Sequence, residues 1–178
     1  MLEGEDVMKA TLLHHINVQI TNRDRTREWY CRVLGATVLD RGPALNKRQL
    51  QLNIGQAELH FSDVKRVTAT HPRVHFALEV EDWDEMLTSL DAQGIEYTRD
   101  GGGAFSRTGM GADPRFARRE DSGEYYTYVH DPDGNLIELV HHPMGLVDMR
   151  GNPVALTKDP EGLRWRQLPE VEKALGKA

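Results

Sequence analysis

Residues 14–20, HHINVQI, and residues 74–80, VHFALEV, share one pattern about sixty positions apart. In the first, Ile16, Val18 and Ile20 alternate with His15, Asn17 and Gln19. In the second, Val74, Phe76, Leu78 and Val80 alternate with His75, Ala77 and Glu79. A period of two puts the two sets on opposite faces of a half-buried strand, one apolar and one polar. Each strand therefore carries a histidine at a matching place on its polar face. Each is followed downstream by a glutamate on a second strand-like run, Glu58 in AELHF (57–61) and Glu138 in LIELVHH (136–142). A duplicated unit that offers one His and one carboxylate per copy can bring four metal-binding groups to one axis.

The residues around these strands repeat as well. After the first strand, residues 23–34 switch to helical spacing, with Trp29, Tyr30, Val33 and Leu34 as an apolar stripe. Asn22 suits the start of this helix and Gly35 its stop. After the second strand, Asp82 followed by Glu85 is a capping-box pair. Trp83, Met86, Leu87 and Leu90 mark the buried helix face, and Gly94 stands where Gly35 stands in the first copy. RQLQLNI (48–54) and AELHF then read as a hairpin turning at Gly55-Gln56. EYYTYVH (124–130) and LIELV (136–140) read as another, turning at Asp131 to Gly134. The order strand, helix, strands is present twice, which implies an α+β fold.

Composition bounds the function. An apolar fraction of 39% with 28% charged residues is ordinary for a globular protein of 178 residues. The net charge of -6 argues against a nucleic-acid partner, since phosphate would be repelled. The single cysteine, Cys31, excludes an intrachain disulfide and fits a reducing compartment. The start, MLEGEDVMKATLL, is acidic and lacks an apolar core of signal-peptide length, and no stretch approaches a membrane span. A cytoplasmic, soluble protein is the expectation, with no membrane partner.

The copies differ chiefly by an insertion, residues 100–123, rich in Gly, Arg and Asp and without periodicity. A loop of this length is functional or disordered in a compact domain. As a lid it would bring Arg107, Arg115, Arg118 and Arg119 toward an anionic small-molecule substrate; as a solvated surface loop it would do nothing of the kind. The expected organisation is an N-terminal tail (1–11), a double module (12–65 and 72–143) and a C-terminal extension (144–178).

Metal binding needs neutral imidazole and ionised carboxylate held on rigid strands. His15, His75, Glu58 and Glu138 satisfy that pattern and suit Fe, Mn, Ni, Co or Zn without choosing among them. His60 shares a strand face with Glu58 and competes with it, whereas alternation turns His14 away from His15. His141 and His142 follow the last strand and read as exposed polar residues. Gln19, Asn17, Gln49, Gln51 and Asn53 would form a polar wall.

The motifs LHHINVQI, WYCRVLG, AELHF, VHFALEV and DPDGNLIELV resemble those of the vicinal oxygen chelate superfamily. That superfamily includes glyoxalase I, extradiol ring-cleaving dioxygenases and bleomycin resistance proteins. The resemblance spans about residues 12–142, and DPDGNLIEL is its most specific piece. It implies paired βαβββ modules forming a cupped, incomplete barrel around a divalent metal, and commonly a homodimer, some members building each metal site from two chains. It also implies His15, His75 and Glu138 as a two-His, one-carboxylate set, Glu58 as a fourth ligand of glyoxalase-like members, and Tyr128 beside the metal as in ring-cleaving dioxygenases. Two positions depart from the named activities. Bacterial glyoxalase I enzymes have an arginine for glutathione where this chain has Gln19. The dioxygenase signature has a histidine upstream of the tyrosine, where RFARREDSGEYY (115–126) has none.

A metal in such a cup acts as a Lewis acid toward a substrate chelated through neighbouring oxygens. Four protein ligands favour glyoxalase-like lyase or isomerase chemistry, with Glu58 or Glu138 as general base. Three ligands, Glu58 facing elsewhere, would suit an Fe(II) extradiol-type dioxygenase with Tyr128 at the metal. A metal-free drug- or metabolite-binding protein of the bleomycin resistance type is the third expectation. Glu58 tips the balance to the first.

Overall fold

In the computed structural model the described residues are 13–55, 57–68, 73–101, 113–119, 123–143 and 145. The expected N-terminal tail, Gln56, most of the insertion including Arg107, and nearly all of the C-terminal extension lie outside them. The first module runs β1 (His15–Ile20), α1 (Arg23–Leu34), β2 (Thr37–Val38), α2 (Pro43–Arg48), β3 (Leu50–Ile54) and β4 (Ala57–Asp63). The second runs β5 (His75–Glu79), α3 (Trp83–Ala92), β6 (Tyr97–Thr98), β7 (Ala117–Arg118), β8 (Tyr125–His130) and β9 (Leu136–His141). The fold is α+β, with the strand–helix–strands unit present twice.

Local chemistry explains the boundaries. Asn22 caps α1 by accepting from the Arg25 N–H, and Gly35 ends it in the left-handed conformation with its N–H on the Tyr30 carbonyl. Asp82 caps α3 by accepting from the Glu85 N–H. Helix α2 was not legible from periodicity: it is one short turn and a half, started by Pro43 at its first position, and it buries no residue. The two-residue strands β2, β6 and β7 are likewise too short to show a period of two.

The sheets follow one plan. In the first, the order is β1-β4-β3-β2, with β1 parallel to β4. In the second, β5-β9-β8-β6, with β5 parallel to β9 and β7 also paired to β8. In each sheet the last strand lies in the middle, hydrogen-bonded to the strand that opened the module. Among the described residues no helix is long and apolar enough to cross a membrane.

One apolar core joins the modules. Val18, Ile20, Tyr30, Leu59 and Phe61 from the first pack with Leu90, Val129, Ile137 and Leu139 from the second. Burying such side chains contributes about 1.5–3 kcal/mol each relative to exposure. The turn in DPDGN (131–135) clamps the two together. Tyr30 donates its buried hydroxyl to Asp131 (3.0 Å), and Asn135 donates to the Gln19 carbonyl (3.0 Å). Asp133 accepts from the Thr21 hydroxyl (2.5 Å) and from Arg25 (2.6 Å). Burial, reinforced by the Asp131 charge, pushes the Tyr30 hydroxyl pKa well up, so it stays a donor. The most specific motif of the chain therefore includes the residues that tie module to module.

Candidate metal centre

Alternation decides which side chains share a face. Ile16, Val18, Leu59 and Phe61 turn into the common core, so His15, Glu58 and His60 lie on the opposite face of the first sheet. Ile137 and Leu139 also enter that core, so Glu138 lies on the opposite face of the second sheet, beside His75. Both candidate pairs are thus turned away from the core that holds the modules together.

In the first module His15 and Glu58 are direct partners across β1 and β4. His60 stacks on His15, with ring centroids 4.1 Å apart and planes 13° from parallel. Its Nε2 lies 2.8 Å from Glu58 Oε2, and Arg41 stands 3.5 Å from the same oxygen. His14 does not turn away: its ring is edge-on to His15, with the two Nδ1 atoms 2.9 Å apart. It precedes β1, so strand alternation does not govern it. Desolvation, with the neighbouring His60 and His14, holds the His15 pKa below the ordinary histidine value, favouring the neutral ring a metal requires.

In the second module the carboxylate is held more fully. Glu138, buried, lies 2.9 Å from His75 Nε2 through Oε2. Its Oε1 accepts from the Tyr128 hydroxyl (2.8 Å) and from Arg119 (3.1 Å). His75 donates from Nδ1 to the Arg73 carbonyl (2.8 Å), so Nε2, on the Glu138 side, is the nitrogen that a cation shared with Glu138 would take in place of the proton between them. A histidine whose outer nitrogen is fixed on a backbone carbonyl, with a carboxylate at its inner nitrogen, fits a cation ligand. Beyond Arg119 the polar chain continues: Glu124 lies 2.9 Å from Arg119 and 3.3 Å from His142, which pairs with Glu79 at 2.8 Å.

The paired registers correct one reading of the repeat. His15 faces Glu58, but His75 faces Leu136, and Glu138 faces Ala77 two positions further on. The residue facing Asn17, at the equivalent place, is His60. His60, not Glu58, is the positional counterpart of Glu138. The sequence contains both E-L-x-x runs, and matching them by letter hides a two-residue offset that only strand pairing exposes.

A family model described as the Glyoxalase/Bleomycin resistance protein/Dioxygenase superfamily matches residues 12–139. The chain belongs to this superfamily. A search of curated proteins gives no match. Among solved structures, a glyoxalase family protein from Enterococcus faecalis is 26% identical, with a TM-score of 0.52, covering 72% of this chain and 96% of that one. A lactoylglutathione lyase from Agrobacterium tumefaciens is 19% identical, with a TM-score of 0.52, covering 75% and 96%. An integron cassette protein from the mobile metagenome of V. cholerae, 19% identical, has a TM-score of 0.53 and covers 76% and 98%. These likenesses carry the fold.

Within this superfamily member, the donor chemistry of each pair suits a divalent cation. Among the described residues no group of three or more His, Cys, Asp or Glu could hold a metal. The arginines expected of a lid are engaged as well. Arg115 bonds Asp113 and Tyr97, Arg118 bonds the Gly123 carbonyl, and Arg119 bonds Glu138. Of the polar wall, Gln19 accepts from the Thr68 N–H and Asn17 from Ser62. Gln51 is buried and donates to Gln49, and among the described residues its carbonyl oxygen, closed off from solvent, meets no donor. Arg41 escaped sequence reading because it sits in a stretch with no periodicity, Glu124 because nothing local marks the first residue of EYYTYVH as a partner of Arg119, and Arg119 appeared there only as a loop cation.

Proposed function

We propose that this protein is a divalent-metal-dependent enzyme of the lyase or isomerase type, acting on a small substrate with two neighbouring oxygens. His15 and Glu58 of one chain and His75 and Glu138 of a second chain would hold the metal, which makes the working form a homodimer. The observation that carries this is orientation: both pairs face away from the shared core, so a second copy is the simplest source of the missing half. A bound divalent metal would polarise the substrate oxygens as a Lewis acid.

The two glutamates suit different tasks. Glu138, fixed by His75, Tyr128 and Arg119, is the positional anchor. Glu58, with His60 and a more distant Arg41, is less restrained and serves as general base, taking a proton from the carbon next to a carbonyl. His60 at 2.8 Å would relay that proton.

A second reading rests on Tyr128. Its hydroxyl on Glu138 stands beside the proposed metal ligands, as an extradiol-type dioxygenase with Fe(II) would use it. The test is to load the metal-free protein with Ni(II), Zn(II), Co(II), Mn(II) or Fe(II) and follow solvent deuterium entering 2-hydroxyketones and hemithioacetals by NMR. Exchange supported by Ni(II) or Zn(II), and lost in Glu58→Gln, is expected. Oxygen uptake with a catechol under Fe(II), without exchange, would move the assignment to the dioxygenase. Elemental analysis showing no bindable metal would leave a metal-free binding protein.

A further inference from the structure

The two half-sites hold their histidines by different means. His75 donates from Nδ1 to a backbone carbonyl, that of Arg73, at 2.8 Å. His15, its counterpart at the start of β1, uses a side chain instead. Among the described residues the one hydrogen bond of its ring is the 2.9 Å contact from its Nδ1 to Nδ1 of His14. The two rings meet edge-on, with centroids 5.1 Å apart and planes at 89°.

Two imidazole nitrogens in such a contact share a single proton, so one ring donates and the other accepts. A neutral imidazole has its proton on one nitrogen and a lone pair on the other. With His14 as donor, His15 accepts at Nδ1, carries its own proton on Nε2, and has no lone pair to offer a cation. With His15 as donor, Nε2 carries the lone pair that a metal takes. The repeat favours the second arrangement, because the matching histidine, His75, donates from the same nitrogen.

His14 also selects which edge of the His15 ring is turned toward it. Stacking on His60, at 4.1 Å and 13°, sets the plane of the His15 ring but leaves its two edges equivalent. Turning that ring by half a revolution about Cβ–Cγ preserves the stack and replaces Nδ1 with Cδ2, a carbon that cannot make this bond. His14 is itself tied to the half-site. Its carbonyl accepts from the Glu58 N–H at 3.3 Å, on the strand paired with β1.

We propose that His14 is the positioning residue of the first half-site. Its Nδ1 accepts from Nδ1–H of His15, holds His15 in the Nδ1–H form, and so presents the Nε2 lone pair to the cation. It does with a side chain what the Arg73 carbonyl does for His75. The use of that lone pair rests on the metal-dependent reading above, whereas the placement of the proton is measurable in the metal-free protein.

The experiment uses the full chain, stripped of metal and labelled with nitrogen-15, at about pH 8, above the ordinary histidine pKa of about 6.5. Two-bond nitrogen–proton correlations report which nitrogen of each ring is protonated, and His15→Gln assigns the His15 signals. Wild-type His15 is expected in the Nδ1–H form. His14→Ala removes the acceptor and should move the proton to Nε2, with Zn(II) affinity by calorimetry falling about 10–100-fold. His14→Asn, whose Oδ1 accepts in place of Nδ1, should restore both the Nδ1–H form and the affinity. Nε2–H in wild-type His15, or an Nδ1–H form that survives His14→Ala, would overturn the proposal. Equal loss of affinity in His14→Ala and His14→Asn would overturn it as well, making His14 a metal ligand. So would an unchanged Zn(II) affinity in His14→Ala where His75→Ala abolishes binding. Failure of the wild type to bind Zn(II) would instead defeat the metal-dependent reading and the positioning role with it, and the spectrum would still decide the proton placement.

Discussion

The two modules share a plan but treat their carboxylates differently. In the second, Glu138 is clamped by His75, Tyr128 and Arg119, two positions beyond the residue that faces His75. In the first, Glu58 faces His15 directly, and the place equivalent to Glu138 is taken by His60, stacked on His15. Duplication thus supplied one scaffold twice, and side-chain substitution specialised the halves. One is centred on a carboxylate held by three partners. The other is rich in imidazole, with a carboxylate bonded to His60 and more loosely to Arg41, and the proposed division into metal anchor and general base rests on that contrast.

The most severe break in that comparison is His75→Ala, which removes the histidine of the carboxylate-centred half. Stoichiometric metal is expected to be lost, checked by elemental analysis after dialysis against the metal. Retention of full metal by this variant would sink the assignment of the second half-site. A mixing experiment then asks whether the halves come from different chains. His15→Ala/Glu58→Gln and His75→Ala/Glu138→Gln should each bind no metal alone. Mixed after subunit exchange, they should recover about a quarter of the wild-type metal, because random pairing makes half the dimers hybrid with one intact site each. No recovery, despite demonstrated exchange, would place the site within one chain.

Smaller effects test what holds the ligands. Tyr128→Phe and Arg119→Ala each remove a partner of Glu138, and a loss of about 10–100-fold in metal affinity is expected from either. Arg41→Ala, acting on the looser Glu58 from 3.5 Å, should change affinity much less and lower the exchange rate instead. If the two halves responded alike, the division into anchor and base would be wrong.

The smallest effect concerns the clamp between modules. Asp133→Ala should destabilise the fold by about 2 kcal/mol through the lost charge-assisted bonds, read by urea unfolding at pH 7. Burial alone would raise the Asp133 pKa, but hydrogen bonds from Thr21 and Arg25 outweigh it and hold the carboxyl below the usual value of 3.8. A carboxylate with a depressed folded pKa contributes stability above its unfolded pKa and loses it as pH falls through the folded one. The wild-type advantage over Asp133→Ala should therefore shrink below about pH 4, and an advantage that grew on acidification would contradict the clamp.

Much of this protein was legible in one dimension. A period of two at 15–20 and 75–79, helical spacing after each, and Asn22, Asp82 and Gly35 at the helix ends dictated the βαβββ units, because local backbone preferences act over a few residues. The candidate ligands were legible for the same reason, as polar-face residues of those strands. What sequence could not decide was relation at a distance. Register made His60 rather than Glu58 the counterpart of Glu138, and one shared core turned both half-sites outward, away from each other's module. Tertiary packing also brought Arg119 to Glu138, and Phe116 and Tyr125 to Trp83, across loops that carry no period. The repeat named the parts; strand pairing and burial, which depend on residues far apart in the chain, decided which of them can meet.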